Sequence, residues 1–160
     1  MIKPRIFCIL FFLIFILFSC GFKPIYKTTE NNFNTSTYSI EFQNEPDYLI
    51  KNKILEFYNS SSEDNFYTIN LDTSMNSTPL ITNTNGTVSK YRIEVIIDFN
   101  VNESNSKNIV YSDTTRGFAE YLVQTSEIET NEKLKQAIQI AAHEAIRMMS
   151  AKIQSNVLNS

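Results

Sequence analysis

One stretch near the middle of the chain alternates between apolar and polar side chains: Tyr91-Arg92-Ile93-Glu94-Val95-Ile96-Ile97-Asp98-Phe99-Asn100-Val101. Every odd-numbered position is apolar, and among the even-numbered positions only Ile96 is not polar. Successive side chains of a strand point to opposite faces of its sheet. This period of two therefore predicts a long strand with one buried and one solvated face. A sheet with one solvated face is typical of antiparallel pairing.

The segment that follows predicts the second half of a hairpin. A polar turn spans residues 102–108, and apolar side chains then return at odd positions, namely Ile109, Tyr111, Ala119, Tyr121 and Val123. Gly117 interrupts this series, and a glycine inside a strand indicates a bulge or the close approach of another backbone. The pattern predicts that this strand pairs with the one before it.

Two shorter strands and a helix are predicted on the N-terminal side. Alternating apolar residues indicate strands at Tyr38, Ile40 and Phe42 and at Tyr67, Ile69 and Leu71. Between them a helix is expected from Glu45-Pro46-Asp47 to about Asn59, because its apolar residues recur at helical spacing. The polar residues from Thr73 to Thr87 contain Pro79 and Asn85-Gly86, which are turn signals, and they predict a long loop.

A long helix is predicted at the C-terminal end. Ser126 with Glu129 matches a capping box, and apolar residues then recur at steps of three and four up to about Ile153. The element order is β-α-β-β-β-α. We therefore expect an α+β fold in which two helices pack on one face of a four-stranded, mostly antiparallel sheet, forming a single domain over residues 38–160.

The first residues have the layout of an export signal. Lys3 and Arg5 precede an uncharged apolar run, Ile6–Phe18, and Ser19 places a small residue before Cys20. The run would form a helix of roughly 20 Å, too short for a hydrocarbon core of about 30 Å. We predict a lipoprotein signal peptide over residues 1–19, lipid attachment at Cys20, and a lipidated tether over residues 20–37. An uncleaved anchor and an ordinary secretory signal are the alternatives.

The net charge and the cysteine count exclude some classes of protein. Loss of Lys3 and Arg5 with the signal leaves 12 basic against 17 acidic residues, a net charge of about −5. Such a balance excludes a generally basic protein that coats nucleic acid. Cys8 leaves with the signal and Cys20 is used for the lipid, so no thiol remains for a disulfide.

The residues that follow the predicted cleavage site resemble a known family. Cys20-Gly21-Phe22-Lys23-Pro24-Ile25-Tyr26 is similar to the Cys-Gly-Phe-x-Pro-Leu-Tyr opening of the alphaproteobacterial LPS-assembly lipoproteins (LptE). The element order is also similar to that family, whereas the segment from Thr125 to Gln136 differs from its usual entry into the last helix. The resemblance implies a non-catalytic, periplasm-facing lipoprotein of the outer membrane. It would assist assembly of the β-barrel translocon LptD and delivery of lipopolysaccharide to the cell surface.

The sequence offers no pattern for catalysis or for a metal or cofactor other than the covalent lipid. The single histidine, His143, is followed by Glu144, and Arg147 stands where a zinc-protease motif needs its second histidine. We expect His143 to be structural or to lie on the surface. No glycine-rich phosphate loop is present, and no nucleophile elbow supports a hydrolase. We assign no catalytic residue and no metal ligand.

Contact with lipopolysaccharide would require cationic side chains for its phosphates. Three pairs are available: Lys51 with Lys53, Lys90 with Arg92, and Lys133 with Lys135. We favour Lys90 and Arg92, because residues two apart on a strand project to the same side. The alternative is a solvated sheet face on which Glu94 and Asp98 balance these charges.

Two other functions remain open from the sequence. An unrelated small periplasm-facing lipoprotein that binds cell-wall or peptide ligands would show a concave aromatic site. A lipid-anchored hydrolase would need titratable groups clustered in a pocket. The residue inventory argues against the hydrolase.

Overall fold

The computed structural model describes residues 38–58, 66–106 and 108–158. Its elements are β1 (Tyr38–Phe42), α1 (Tyr48–Phe57), β2 (Tyr67–Thr82), β3 (Val88–Glu103), β4 (Ile109–Leu122) and α2 (Glu127–Ile153), and a π-helical turn, Gln154–Leu158, follows α2. The predicted element order is confirmed. The predicted signal peptide, Cys20 and the tether lie outside the described residues.

The four strands form one sheet in the order β1-β2-β3-β4. β1 pairs with β2 in parallel, whereas the β2–β3 and β3–β4 pairs are antiparallel. The helix between β1 and β2 returns the chain to the same end of the sheet, which permits parallel pairing, and short turns join the antiparallel strands. The prediction of a mostly antiparallel sheet in an α+β fold is confirmed.

The core lies between the sheet and the helices. The odd-numbered residues of β3 from Ile93 to Val101 are no more than 1% exposed. The helices contribute Ile50, Ile54, Ile138, Ala141, Ala142, Ala145, Ile146, Met149 and Ile153, all of them buried. Full burial of one such aliphatic side chain contributes about 1.5–3 kcal/mol. The predicted one-sided sheet is therefore observed, with both helices on its apolar face.

Gly117 allows α2 to approach the sheet closely. A Cβ atom built at Gly117 would lie 1.9 Å from the backbone oxygen of Ala141 and 2.7 Å from the backbone nitrogen of Ala145. Both clashes are with helix backbone, which cannot move aside as a side-chain end can. The predicted close approach is confirmed, and the β3–β4 register has no bulge at Gly117.

Both helix starts differ in detail from the prediction. Pro46 precedes α1, and the Asp47 side chain caps the helix by accepting a hydrogen bond of 2.8 Å from the N–H of Leu49. The capping box predicted for α2 is wrong, because the Ser126 side chain makes no capping hydrogen bond. Instead, the hydroxyl of Thr130 lies 3.0 Å from the Ser126 oxygen and accepts a hydrogen bond of 2.9 Å from the N–H of Gln124.

The long loop predicted from Thr73 to Thr87 is also wrong. β2 continues to Thr82, and only a tight turn from Asn83 to Thr87 separates it from β3. Gly86 adopts φ 82° in this turn, a left-handed conformation that glycine accommodates without steric cost. Every residue from Ser74 to Thr82 is exposed, so neither face of this end of β2 is buried and its side chains show no apolar alternation. Met75, Leu80 and Ile81 are its exposed apolar residues.

The outer edge of β4 is covered by side chains of α2. The N–H of Phe118 donates to Glu144 Oε2 at 2.8 Å, and Lys152 Nζ donates to the Thr114 oxygen at 3.0 Å. Lys152 also lies 2.7 Å from Asp113 Oδ2. An open strand edge is a template for pairing with another chain, and here α2 satisfies part of it.

Candidate functional site

Lys90 and Arg92 project from the sheet face that the helices do not cover. The register places Arg92 opposite Glu120 of β4, and Lys90 opposite Leu122. Lys90 Nζ lies 2.5 Å from Glu120 Oε2, and Arg92 Nη2 lies 2.8 Å from Glu120 Oε1. The two predicted cations therefore share one carboxylate, a partner that strand alternation alone does not predict.

The two cations also change the titration of that carboxylate. Hydrogen bonds from Lys90 first and Arg92 second lower the pKa of Glu120. Glu120 is therefore ionised over the whole neutral range, and it offsets one of the two positive charges. Glu94, which the alternative interpretation assigned to Lys90 and Arg92, instead lies 3.7 Å from Arg116.

A shallow groove of about 490 Å³ runs from this cluster to α2. We call it the basic groove; its lining residues include Lys90, Glu120, Leu122, Lys133 and Ile140. The groove thus brings together one residue from each of two predicted cationic pairs: Lys90 from the first and Lys133 from the second. A second depression of about 580 Å³, lined by Arg92, Phe118, Ala119 and Glu120, adjoins it on the solvated face.

Apolar side chains border the cations. Phe118 is 46% exposed, Leu122 54% and Ile140 60%. Lys90, Arg92 and Lys133 carry three positive charges against the single negative charge of Glu120. Cationic donors beside exposed apolar side chains suit a ligand that carries phosphates next to hydrocarbon. The arrangement offers binding chemistry.

The remaining predicted cations have other neighbours. Lys51 Nζ lies 5.8 Å from the centre of the Phe42 ring, within the range of a cation–π contact. Lys53 pairs with Glu56 at 2.8 Å, and Lys135 pairs with Glu132 at 3.1 Å, each within one helix. Such exposed pairs contribute little to stability.

His143 is exposed on α2, as expected. It lines a groove of about 490 Å³ between α1 and α2 together with Lys53, Gln136, Gln139 and Ile140. Among the described residues, no group of three His, Cys, Asp or Glu side chains is placed to hold a metal ion.

The sequence signal for Glu120 and its neighbours was present but weak. Phe118, Glu120 and Leu122 occupy even positions of β4, opposite in phase to the apolar odd positions. Two large apolar residues on the solvated phase of a strand are a departure from the pattern. That departure marks an exposed apolar surface, although it does not reveal which cation lies across the strand.

Comparison with known proteins places the fold. No protein-family model matches the chain, and no curated protein matches it. A lipoprotein from Caulobacter crescentus has a similar structure with a TM-score of 0.64 and 11% identity, covering 78% of this chain and 93% of that one. Rare lipoprotein B from Shewanella oneidensis is similar with a TM-score of 0.58 and 15% identity, covering 76% of this chain and 96% of that one. A minor lipoprotein from Acinetobacter baumannii has a TM-score of 0.57 and 14% identity, covering 76% of this chain and 92% of that one.

These identities are low, so the likeness concerns the fold. Within the part of the chain that the structure describes, no helix is both long and apolar enough to cross a bilayer. The domain from β1 to α2 therefore has a fold that occurs in solved bacterial lipoproteins.

Proposed function

We propose that this chain is a non-catalytic LPS-assembly lipoprotein of the LptE type that resembles the alphaproteobacterial members. It is anchored in the outer membrane through a lipid on Cys20 and faces the periplasm. It docks into the β-barrel translocon LptD, aids assembly of the barrel, and assists delivery of lipopolysaccharide to the surface.

Two observations taken together support the proposal. The opening Cys20-Gly21-Phe22-x-Pro24-x-Tyr26 resembles that of the LPS-assembly lipoproteins, and it precedes a domain whose fold is shared with solved bacterial lipoproteins. The opening and the fold are independent of each other, because the first is a short sequence pattern and the second is a tertiary arrangement.

The basic groove gives secondary support. Lipopolysaccharide presents phosphates beside acyl chains, and the groove presents Lys90 and Lys133 beside Leu122 and Ile140. Charge-assisted hydrogen bonds to phosphate are stronger than neutral ones. The groove is open and shallow, which suits transient contact with a ligand that is handed on.

The test is a pull-down of the full-length protein in mild detergent from outer membranes of its host, followed by mass spectrometry. We expect one large β-barrel protein in a near-equal molar amount. The matched control carries Cys20→Ser behind an ordinary secretory signal in place of residues 1–19, because it retains the domain and lacks both the lipid and an uncleaved signal. Recovery of the wild-type chain without a barrel, or only from inner membranes, would contradict the proposal and favour a small lipoprotein with another ligand.

A further inference from the structure

β2 extends well beyond its neighbour β1. The last residue of β1, Phe42, lies opposite Leu71, and the N–H of Gln43 donates to the Leu71 oxygen at 2.8 Å. The side chain of Asn44 then continues the edge. Its Nδ2 donates to the Thr73 oxygen at 2.8 Å, and its Oδ1 accepts from the Thr73 N–H at 3.3 Å. A side-chain amide thus takes the place of one further strand residue.

Beyond Thr73, the backbone groups that point away from β3 have no such partner among the described residues. Because both backbone groups of Thr73 point away from β3, and the direction repeats every second residue in a strand, those of Met75 and Ser77 point away as well. Among residues 38–58, 66–106 and 108–158, none forms a hydrogen bond with these outward groups. We call residues 74–78 the open β2 edge.

The open β2 edge is bounded at both ends. Asn44 occupies the edge at Thr73. At the other end Pro79 lacks an N–H, and the register with β3 shifts between Pro79 and Ile81. Between these limits Met75 and Ser77 offer two N–H and two C=O groups, which is enough for a short added strand.

This edge lacks the protection that β4 has. Natural edge strands are commonly protected by lysine, proline, a bulge or a covering element. Glu144 and Lys152 satisfy outward groups of β4, whereas the segment Thr73–Thr82 carries no charged residue. Every residue from Ser74 to Thr82 is exposed. Among the described residues, neither helix makes a hydrogen bond to this edge, and the edge segment itself offers an incoming strand no charged side chain.

We propose that the open β2 edge receives an extended, uncharged segment of the partner protein, which adds to the sheet as a short strand in line with β1. Main-chain hydrogen bonds supply the affinity in this mode of recognition. Because Ser74, Met75, Asn76, Ser77 and Thr78 carry no charge, the edge offers a charged segment no ionic partner, and an uncharged segment complements it best. The inference rests on the proposed function in one respect, since it takes the barrel as the partner that supplies the segment.

Hydrogen exchange at single amides tests this inference. The full-length lipoprotein is compared free in detergent and in the barrel complex purified from its host. We expect exchange at the Met75 and Ser77 amides to slow by about tenfold or more in the complex. The amide of Asn76 points to β3 and serves as the internal control, protected in both states.

The outcomes separate the two proposals. If the barrel is recovered but both amides exchange at the same rate as in the free chain, the added strand is wrong and the proposed function stands. If no barrel is recovered, both proposals fail. Protection already present in the free chain would assign the edge to a second copy or to the chain's own residues 20–37, and it would overturn a partner segment.

A pair of substitutions provides an independent test. Ser77→Pro removes an outward N–H and leaves the β3 ladder intact, whereas Ser77→Ala retains the N–H. We expect Ser77→Pro to lower barrel recovery by about fivefold or more, and Ser77→Ala to leave it unchanged. If Ser77→Pro fails to fold, Ser77→Lys replaces it and places a charge on the edge. If the folded proline variant, or the lysine variant, recovers as much barrel as the wild-type chain does, the proposal is overturned.

Discussion

Glu120 sets the charge of the basic groove at the scale of single residues. Its two carboxylate oxygens each face a different cation, Lys90 and Arg92. A phosphate entering the groove competes with this carboxylate for the same donors. Removing the carboxylate charge therefore frees donors, and removing the cations eliminates them.

We expect Glu120→Gln to tighten binding of lipopolysaccharide and the double variant Lys90→Ala, Arg92→Ala to weaken it by about tenfold or more. Lys135→Ala is the matched control, because Lys135 pairs with Glu132 away from the groove. Binding of labelled lipopolysaccharide by the purified full-length chain measures all three. Equal affinities for the double variant and the wild type would remove Lys90 and Arg92 from the binding site.

Asp113 gives the stability of the domain an acid dependence. Hydrogen bonds from Lys152 first, then from Tyr111 and the N–H of Thr114, lower its pKa from 3.8 to about 2. A carboxyl whose pKa is lower in the folded state stabilises the protein above its unfolded pKa. That contribution is lost as the pH falls from about 3.8 to about 2.

Asp113→Asn is expected to lower the free energy of unfolding at neutral pH by about 1 kcal/mol or less, because the Lys152 pair is partly exposed. It should also flatten the loss of stability between pH 3.8 and about 2. Urea denaturation at several pH values measures both effects. A variant with the same slope in this range as the wild type would show that other carboxyl groups dominate.

The contact between α2 and β4 is the main packing event at the scale of elements. Small residues on both sides, Gly117 on the strand and Ala141 and Ala145 on the helix, bring the two backbones together. The helix can then place Glu144 and Lys152 on the strand edge. Close packing and edge protection therefore depend on the same alignment.

Gly117→Ala should destabilise the domain by about 3 kcal/mol or more, since the new methyl group would clash with helix backbone. Gly86→Ala is the matched control: nothing lies within 4 Å of its added Cβ, and only the strain of φ 82° remains. That strain costs about 1–2 kcal/mol. Thermal unfolding compares the stability of the two variants. If Gly86→Ala loses as much stability as Gly117→Ala or more, α2 moves readily enough to accommodate the added methyl group.

The start of α2 provides a second comparison at this scale. Thr130→Val removes the hydroxyl that bonds with Gln124 and Ser126 and should cost about 1 kcal/mol. Ser126→Ala should cost little, because its side chain makes no capping hydrogen bond. Chemical denaturation measures both losses of stability. A larger loss for Ser126→Ala than for Thr130→Val would show that Ser126 caps the helix after all.

The sequence predicted those elements that have one buried side. β3 and α2 were recognisable because water on one side and core on the other impose a period on residues such as Ile93 and Ile138. The distal half of β2 has no buried face, so Ser74 to Thr78 looked like a loop. The Lys90 and Arg92 pair was predictable from strand alternation, whereas Glu120 depends on the β3–β4 register, which the sequence pattern leaves undetermined.

At the scale of the whole molecule, the proposed lipid determines where the domain works. Two acyl chains give stable membrane anchoring. A lipoprotein signal is cleaved only after its cysteine is lipidated, so the test replaces residues 1–19 by an ordinary secretory signal together with Cys20→Ser. This variant is expected to leave the domain folded and to move it from the membrane to the soluble periplasmic fraction. Fractionation of the host with immunodetection measures this, and the mass of the N-terminal peptide checks the modification. If this variant stays in the membrane, the lipid is not what anchors the domain.

The parallel direction of β1 has a mechanical consequence. The chain enters the sheet at Tyr38, opposite Tyr67, while the β2–β3 turn lies at the other end of β2, roughly 50 Å away at about 3.3 Å per residue. Tension between the tether and this turn would act along the strand axis. It would load the pairs from Tyr38–Tyr67 to Phe42–Leu71 together in shear, instead of peeling them apart one after another.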